Sequence, residues 1–122
     1  MVGGLIKYDN QNVFAKILRG EIPCKKVYED LFSLAFEDIN PQAPTHILII
    51  PKKHISTIND LKPDDSTLIG ELFLIAKQLA QIENINNSGF RTVFNCNEDG
   101  GQTVFHIHLH LLGGRQLSWP PG

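Results

Sequence analysis

His106-Ile107-His108-Leu109-His110-Leu111-Leu112 alternates imidazole with aliphatic side chains. Successive side chains of a β-strand point to opposite faces. A strand over Val104–Leu112 therefore sends His106, His108 and His110 to one face, about 7 Å apart at Cα. Ile107, Leu109 and Leu111 point the other way and can pack beneath a helix. Core packing alone gives no reason to line a face with imidazoles, because each buried ring needs hydrogen-bond partners.

Upstream lies Asp99-Gly100-Gly101-Gln102-Thr103. Two glycines permit close backbone approach and exposed amides, and Gln102 and Thr103 add side-chain donors. Gly-Gly is often only a turn, but here it precedes a histidine face. The other strands are predicted around Lys26–Glu29, Ser33–Asp38, His46–Pro51 and Phe90–Asn95. The third is apolar on both faces and so central. Glu29-Asp30 supplies a hairpin turn, and Pro41 and Pro44 mark a connection.

Asn12 can cap a short helix over Val13–Arg19, with Gly20 as its left-handed stop. A long helix starts near Pro63, with Asp64 and Asp65 in its positive first turn. Leu68, Ile69, Leu72, Ile75, Ala76, Leu79 and Ile82 repeat at helical spacing and should cover one sheet face. The order helix, three strands, long helix, two strands predicts an α+β fold with a five-stranded, mainly antiparallel sheet. Residues 1–11 read as a flexible N-terminal segment and 12–122 as one domain with its C-terminal tail.

A chain of 122 residues with 42% hydrophobic content suits one packed core. The net charge of -2 gives no general attraction to nucleic acid or anionic membranes, so any phosphate binding is local. The longest apolar run, Ile47–Ile50, is far too short to span a bilayer, and no signal peptide is apparent. Cys24 and Cys96 form no CxxC pair, which fits reduced thiols in a cytoplasmic protein and gives no zinc knuckle.

The histidine face admits three chemistries. It can be a satisfied polar network. It can hold a metal, since imidazole is a common ligand, with His46 or Asp99 as further donors. It can carry a nucleophile, because neutral imidazole attacks electrophilic phosphorus. His108 has imidazole neighbours on both sides and is the best nucleophile of the three. The glycine loop could then steady the charged transition state.

Gly100 to Leu112, with the His-x-His-x-His-x-x pattern inside it, resembles the histidine triad superfamily. The resemblance runs through Gly113 to Gly122, and through Phe36–His46 and Ile50–Ile55. It looks like the nucleotide-binding (Hint) branch. It implies a HIT-like fold that dimerises into a ten-stranded sheet, and a purine nucleoside phosphoramidase working through a nucleotidyl-histidine without a metal or other cofactor. By the same resemblance His108 is the nucleophile. His110, Asn95, Gly101, Gln102 and Thr103 surround phosphate and leaving group. His106 and His46 support the imidazoles. Asp38 accepts from ribose hydroxyls, and Val13, Phe14, Ile17, Phe36 and Ile39 wall the base pocket. Trp119 reaches the partner subunit's site. The implied partners are purine nucleoside phosphoramidates, nucleoside monophosphates and a second copy, with neither nucleic acid nor membrane. Thr103 stands where serine is frequent, leaving the leaving-group preference open. Cys24 lacks a partner for the zinc site that some branches carry. Nucleotide binding with little turnover, and dinucleoside polyphosphate hydrolysis as in the Fhit branch, are the alternatives.

Overall fold

A computed structural model describes residues 7–122. The element order is α1 (Val13–Leu18), β1 (Lys26–Glu29), β2 (Ser33–Glu37), β3 (Thr45–Pro51), α2 (Ser66–Ile82), β4 (Phe90–Phe94) and β5 (Leu109–Gly113). The five strands form one antiparallel sheet in the order β1-β2-β3-β5-β4, with β3 at its centre as its two apolar faces predict. No helix among the described residues is long and apolar enough to cross a membrane.

Alternation along the central strands builds two separate apolar clusters. Ala35, Ile47, Ile49, Leu109 and Leu111 pack with Leu72, Ile75, Ala76, Leu79 and Ala80 of α2. The residues between them, Leu34, Phe36, Leu48 and Ile50, pack on the opposite face with Phe14 of α1. Burying each aliphatic side chain contributes roughly 1.5–3 kcal/mol, so the α2 face carries most of the apolar stabilisation.

The helix ends follow local chemistry. The Asn12 side chain accepts from the Ala15 amide at 2.9 Å, as an N-cap should. α1 stops at Leu18, one residue earlier than predicted, with Arg19 as cap. The turn expected at Pro63 is a 3-10 segment, Pro63–Asp65, and regular α-helix begins only at Ser66. Ile82, predicted to join the buried stripe, is 61% exposed at the helix end.

The strand predicted over Val104–Leu112 begins only at Leu109. The pairing of Ile49 with Leu109 would place Pro51 opposite Ile107, and proline has no amide hydrogen for a ladder. The Ile107 amide instead donates to the Ile55 carbonyl at 2.7 Å. His106 and His108 thus lie in a bent lead-in, and only His110 stands on the pleated strand. Residues 1–6 of the N-terminal segment expected to be flexible lie outside the described residues. Within the remainder, Tyr8 packs against His54 and His106, which ties that stretch to the domain.

Candidate active site

A cavity of about 540 Å³ opens on the sheet face opposite α2. It is lined by Val13, Phe14 and Ile17 of α1, by Phe36, Asp38 and Ile39 at the end of β2, by His46 of β3, and by Gly101, Thr103, His108 and His110. The structure therefore gathers these eleven sequence-predicted residues around one space. Phe14 serves twice, packing edge-on against Phe36 at 5.4 Å and against His108 at 4.9 Å between ring centroids.

The hydrogen bonds fix which nitrogen of each ring carries the proton. Nδ1 of His108 lies 2.8 Å from the His106 carbonyl. A carbonyl only accepts, so Nδ1 carries the hydrogen and the Nε2 lone pair of His108 is left for chemistry. The Gln42 amide donates to His46 Nδ1 at 3.0 Å, so neutral His46 holds its proton on Nε2. That Nε2 faces His110 Nδ1 at 2.9 Å, with an Asp38 carboxylate oxygen at 3.4 Å. His110 then carries its hydrogen on Nε2, a buried nitrogen with no partner among the described residues. The site thus presents a lone pair on His108 beside a donor on His110, with ring centroids 4.9 Å apart.

Burial favours the uncharged form of every ring in the triad. It pushes His106 down to about 4, opposed by the Pro51 carbonyl. It pushes His110 down to about 4 as well, and the neighbouring His108 and His46 add to the effect. His108 is lowered by burial, and the His106 carbonyl opposes this. His46 is lowered by burial against the pull of Asp38. Near neutral pH the four imidazoles are therefore neutral, as a nitrogen nucleophile requires.

Asp38, His46 and His110 bring three potential metal-ligating atoms within 4.8 Å of one another. His46 Nε2 and His110 Nδ1 already share a hydrogen at 2.9 Å, and a metal ligand must offer a free lone pair. His46 could free its Nε2 only by moving the proton to Nδ1, against the Gln42 amide. The donor set matches proton sharing better than ligation.

Four predicted residues stand apart from the cavity. His106 is fully buried behind it, donating from Nε2 to the Pro51 carbonyl at 2.7 Å. Gln102 is also buried. Its side chain accepts from the Asn97 amide at 2.9 Å and donates to the Ser56 carbonyl at 2.8 Å, so it braces the loop instead of facing phosphate. Asn95 lines a different depression beside the tail, and Trp119 is 81% exposed with the Arg91 guanidinium 5.9 Å over its ring. The glycine loop is narrower in use than the sequence suggests. The Gly101 and Gln102 amides donate to Glu98 and Asn97 carbonyls within the turn. Gly101 has φ +83°, and a Cβ on Gly100 would meet the Cys96 carbonyl oxygen at 2.6 Å, so both positions require glycine.

Sequence reasoning missed Gln42, whose amide sets the His46 tautomer, and Ile22, Pro23, Cys24, Leu48 and Val104, which complete the apolar wall. Leu48 was legible in principle, because it pairs with His110 and shares its face. Nothing local marks the Ile22–Cys24 loop.

The HIT domain family matches residues 19–117. This chain belongs to the HIT family. The crystal structure of a HIT family hydrolase from Legionella pneumophila Philadelphia 1 is 61% identical, covers 91% of this chain and 99% of that one, and superposes with a TM-score of 0.89. An uncharacterized HIT-like protein of Synechocystis sp. is 53% identical over 110 residues, 90% of this chain and 96% of its own length. The histidine triad nucleotide-binding protein from Candida albicans is 30% identical, with 89% of this chain and 82% of that one covered and a TM-score of 0.76. The family match thus spans all five strands, α2 and the whole imidazole cluster.

Proposed function

We propose that this HIT protein hydrolyses the P–N bond of purine nucleoside 5′-phosphoramidates through a covalent nucleotidyl-histidine. One observation carries the reading. The His108 Nδ1–H is held by the His106 carbonyl, which leaves a neutral Nε2 lone pair beside the His110 Nε2–H in a cavity with one apolar wall.

In the first step His108 Nε2 attacks the α-phosphorus, the new N–P bond forms, and the bond to the leaving amine breaks. The amine gains a proton from Thr103 or water as it departs. His110 donates to a phosphoryl oxygen as charge builds there, the arrangement that stabilises transition states most effectively in a dry site. In the second step water attacks phosphorus, the His108–phosphorus bond breaks, and nucleoside monophosphate is released. Asp38, already accepting from the Asn40 amide at 2.8 Å, keeps lone pairs for ribose hydroxyls. Phe14, Ile17, Phe36 and Leu48 supply flat apolar contact for a base.

The protein works as a homodimer in this reading. Phe73, Leu74 and Ile82 of α2 and Phe90 of the edge strand β4 are exposed, which suits a second copy, and Trp119 then contacts the partner's site. The Candida albicans relative, named for nucleotide binding, supports a second reading in which the chain binds nucleotides with little turnover.

The test is a panel of nucleoside 5′-phosphoramidates with varied bases and amines, assayed with wild type and His108→Ala, beside nucleoside monophosphate binding. Turnover should fall by more than about 10³-fold in the variant while monophosphate binding persists. Wild-type turnover by His108→Ala contradicts the mechanism. Tight binding without turnover by wild type selects the binding reading. Activity lost to a chelator and restored by a divalent ion would select a metal hydrolase instead.

A further inference from the structure

Tyr8 lies ahead of α1, outside residues 19–117 that the family match covers. Its hydroxyl is 2.6 Å from His106 Nδ1. His106 is fully buried, and its Nε2 lies 2.7 Å from the Pro51 carbonyl. That carbonyl only accepts, so the His106 hydrogen sits on Nε2 and Nδ1 must accept. The Tyr8 hydroxyl therefore donates. Burial pushes the phenol above its ordinary 10, which keeps that hydrogen in place. The Tyr8 ring is itself held, stacked on His54 at 4.4 Å with an 11° interplanar angle and edge-on to His106 at 5.6 Å.

The chain of contacts continues into the cavity. The backbone carbonyl of His106 accepts the Nδ1–H of His108 at 2.8 Å, the bond that frees the His108 Nε2 lone pair. We propose that Tyr8 is a positioning residue for His108, acting through His106. Its hydroxyl and the Pro51 carbonyl clamp the two nitrogens of the His106 ring. The clamped ring fixes the peptide whose carbonyl sets the tautomer and direction of His108. Without the hydroxyl, one buried imidazole nitrogen is orphaned, and rotation of the ring or transfer of its proton becomes the way to relieve it. The stretch ahead of α1 that carries Tyr8 thereby becomes part of the reaction's alignment, although it never touches substrate. The inference rests on the reading of His108 as nucleophile.

Tyr8→Phe removes the hydroxyl and keeps the aromatic ring on His54. The test compares it with wild type in the full chain, by steady-state hydrolysis of adenosine 5′-phosphoramidate and by side-chain ¹⁵N NMR of the histidines near neutral pH. The expected result is kcat lowered roughly 5- to 30-fold with KM within about two-fold, because misalignment of a nucleophile is felt in the chemical step. The nitrogen signals of His106 and His108 should also leave their single-tautomer positions. A purely structural role would not single out kcat or those two rings. Wild-type kcat with unchanged His106 and His108 signals overturns the proposal. Equal losses in kcat and substrate binding with unchanged signals also overturn it, by reducing Tyr8 to packing. A wild-type protein that forms no His108 adduct defeats the nucleophile reading itself, and is told apart because wild type then fails rather than the variant.

Discussion

His110 and Leu111 are neighbours on β5, and the pleat sends them to opposite faces of the sheet. Leu111 is fully buried among Ile47, Ile49 and Leu79 under α2. His110 lines the cavity with an unpartnered buried nitrogen. One face is dry, apolar and closed by a seventeen-residue helix. The other is covered by the six-residue α1 with Cys24 and Val104 beside it, and the gap that remains is the site. Stability and chemistry are thus divided by strand alternation, a period of two residues, and not by separate regions of the chain.

The sharpest way to break that division is to truncate the two neighbours separately. His110→Ala removes the donor beside His108 and should lower turnover about 10²- to 10³-fold, while thermal stability changes little. His46 keeps the Asp38 carboxylate within reach in that variant. Leu111→Ala leaves a cavity under α2 and should cost about 2–5 kcal/mol in denaturant unfolding, with kcat per folded molecule retained. A large stability loss for His110→Ala, or a large kcat loss for Leu111→Ala, would dissolve the distinction.

A pH titration of stability separates the faces next. In the folded chain His106 and His110 are held at about 4, against an ordinary 6.5. Above 6.5 both folded and unfolded states are neutral there, so these rings make stability independent of pH. As the pH falls below 6.5 the unfolded chain takes up protons first, and stability declines until about 4. For His106 the full loss is roughly 3 kcal/mol, read by chemical denaturation at a series of pH values. His106→Asn should flatten part of that slope, whereas substitutions under α2 should leave it unchanged.

The smallest expected effect belongs to the rim. Asp38→Asn removes a charged acceptor from the cavity edge and should raise KM by about five-fold, near 1 kcal/mol, with a lesser change in kcat. Equal KM values for a nucleoside phosphoramidate and its 2′,3′-dideoxy analogue would remove Asp38 from ribose recognition.

The same alternation explains what was readable in the sequence. Leu109 and Leu111 declare the α2 face by period, and the helical stripe of Leu72, Ile75, Ala76 and Leu79 answers it, whereas Ile47 and Ile49 were legible only as part of a strand apolar on both faces. His108 and His110 were found because a run of alternating imidazoles is chemically unusual on a sheet, whereas Asp38 and the supporting role of His46 came only with the family resemblance. The parts that escaped are those set by long-range partners. Pro51 and Ile55 stop β5 short of the first two histidines, and no local pattern near Val104 announces it. Gln102 looked like a phosphate donor until its amide was committed to Asn97 and Ser56. Tyr8 sat in a stretch with no periodicity, although its hydroxyl meets a ring 98 residues away.

The most direct measurement is to locate the covalent intermediate. Wild-type protein is mixed with adenosine 5′-phosphoramidate, quenched within the first turnover, digested and mapped by mass spectrometry under conditions that preserve phosphohistidine. One adenylyl group on the peptide bearing His108, and on that ring alone, is the predicted result. A productive turnover with no adduct, or with the adduct on another residue such as His54, would contradict it.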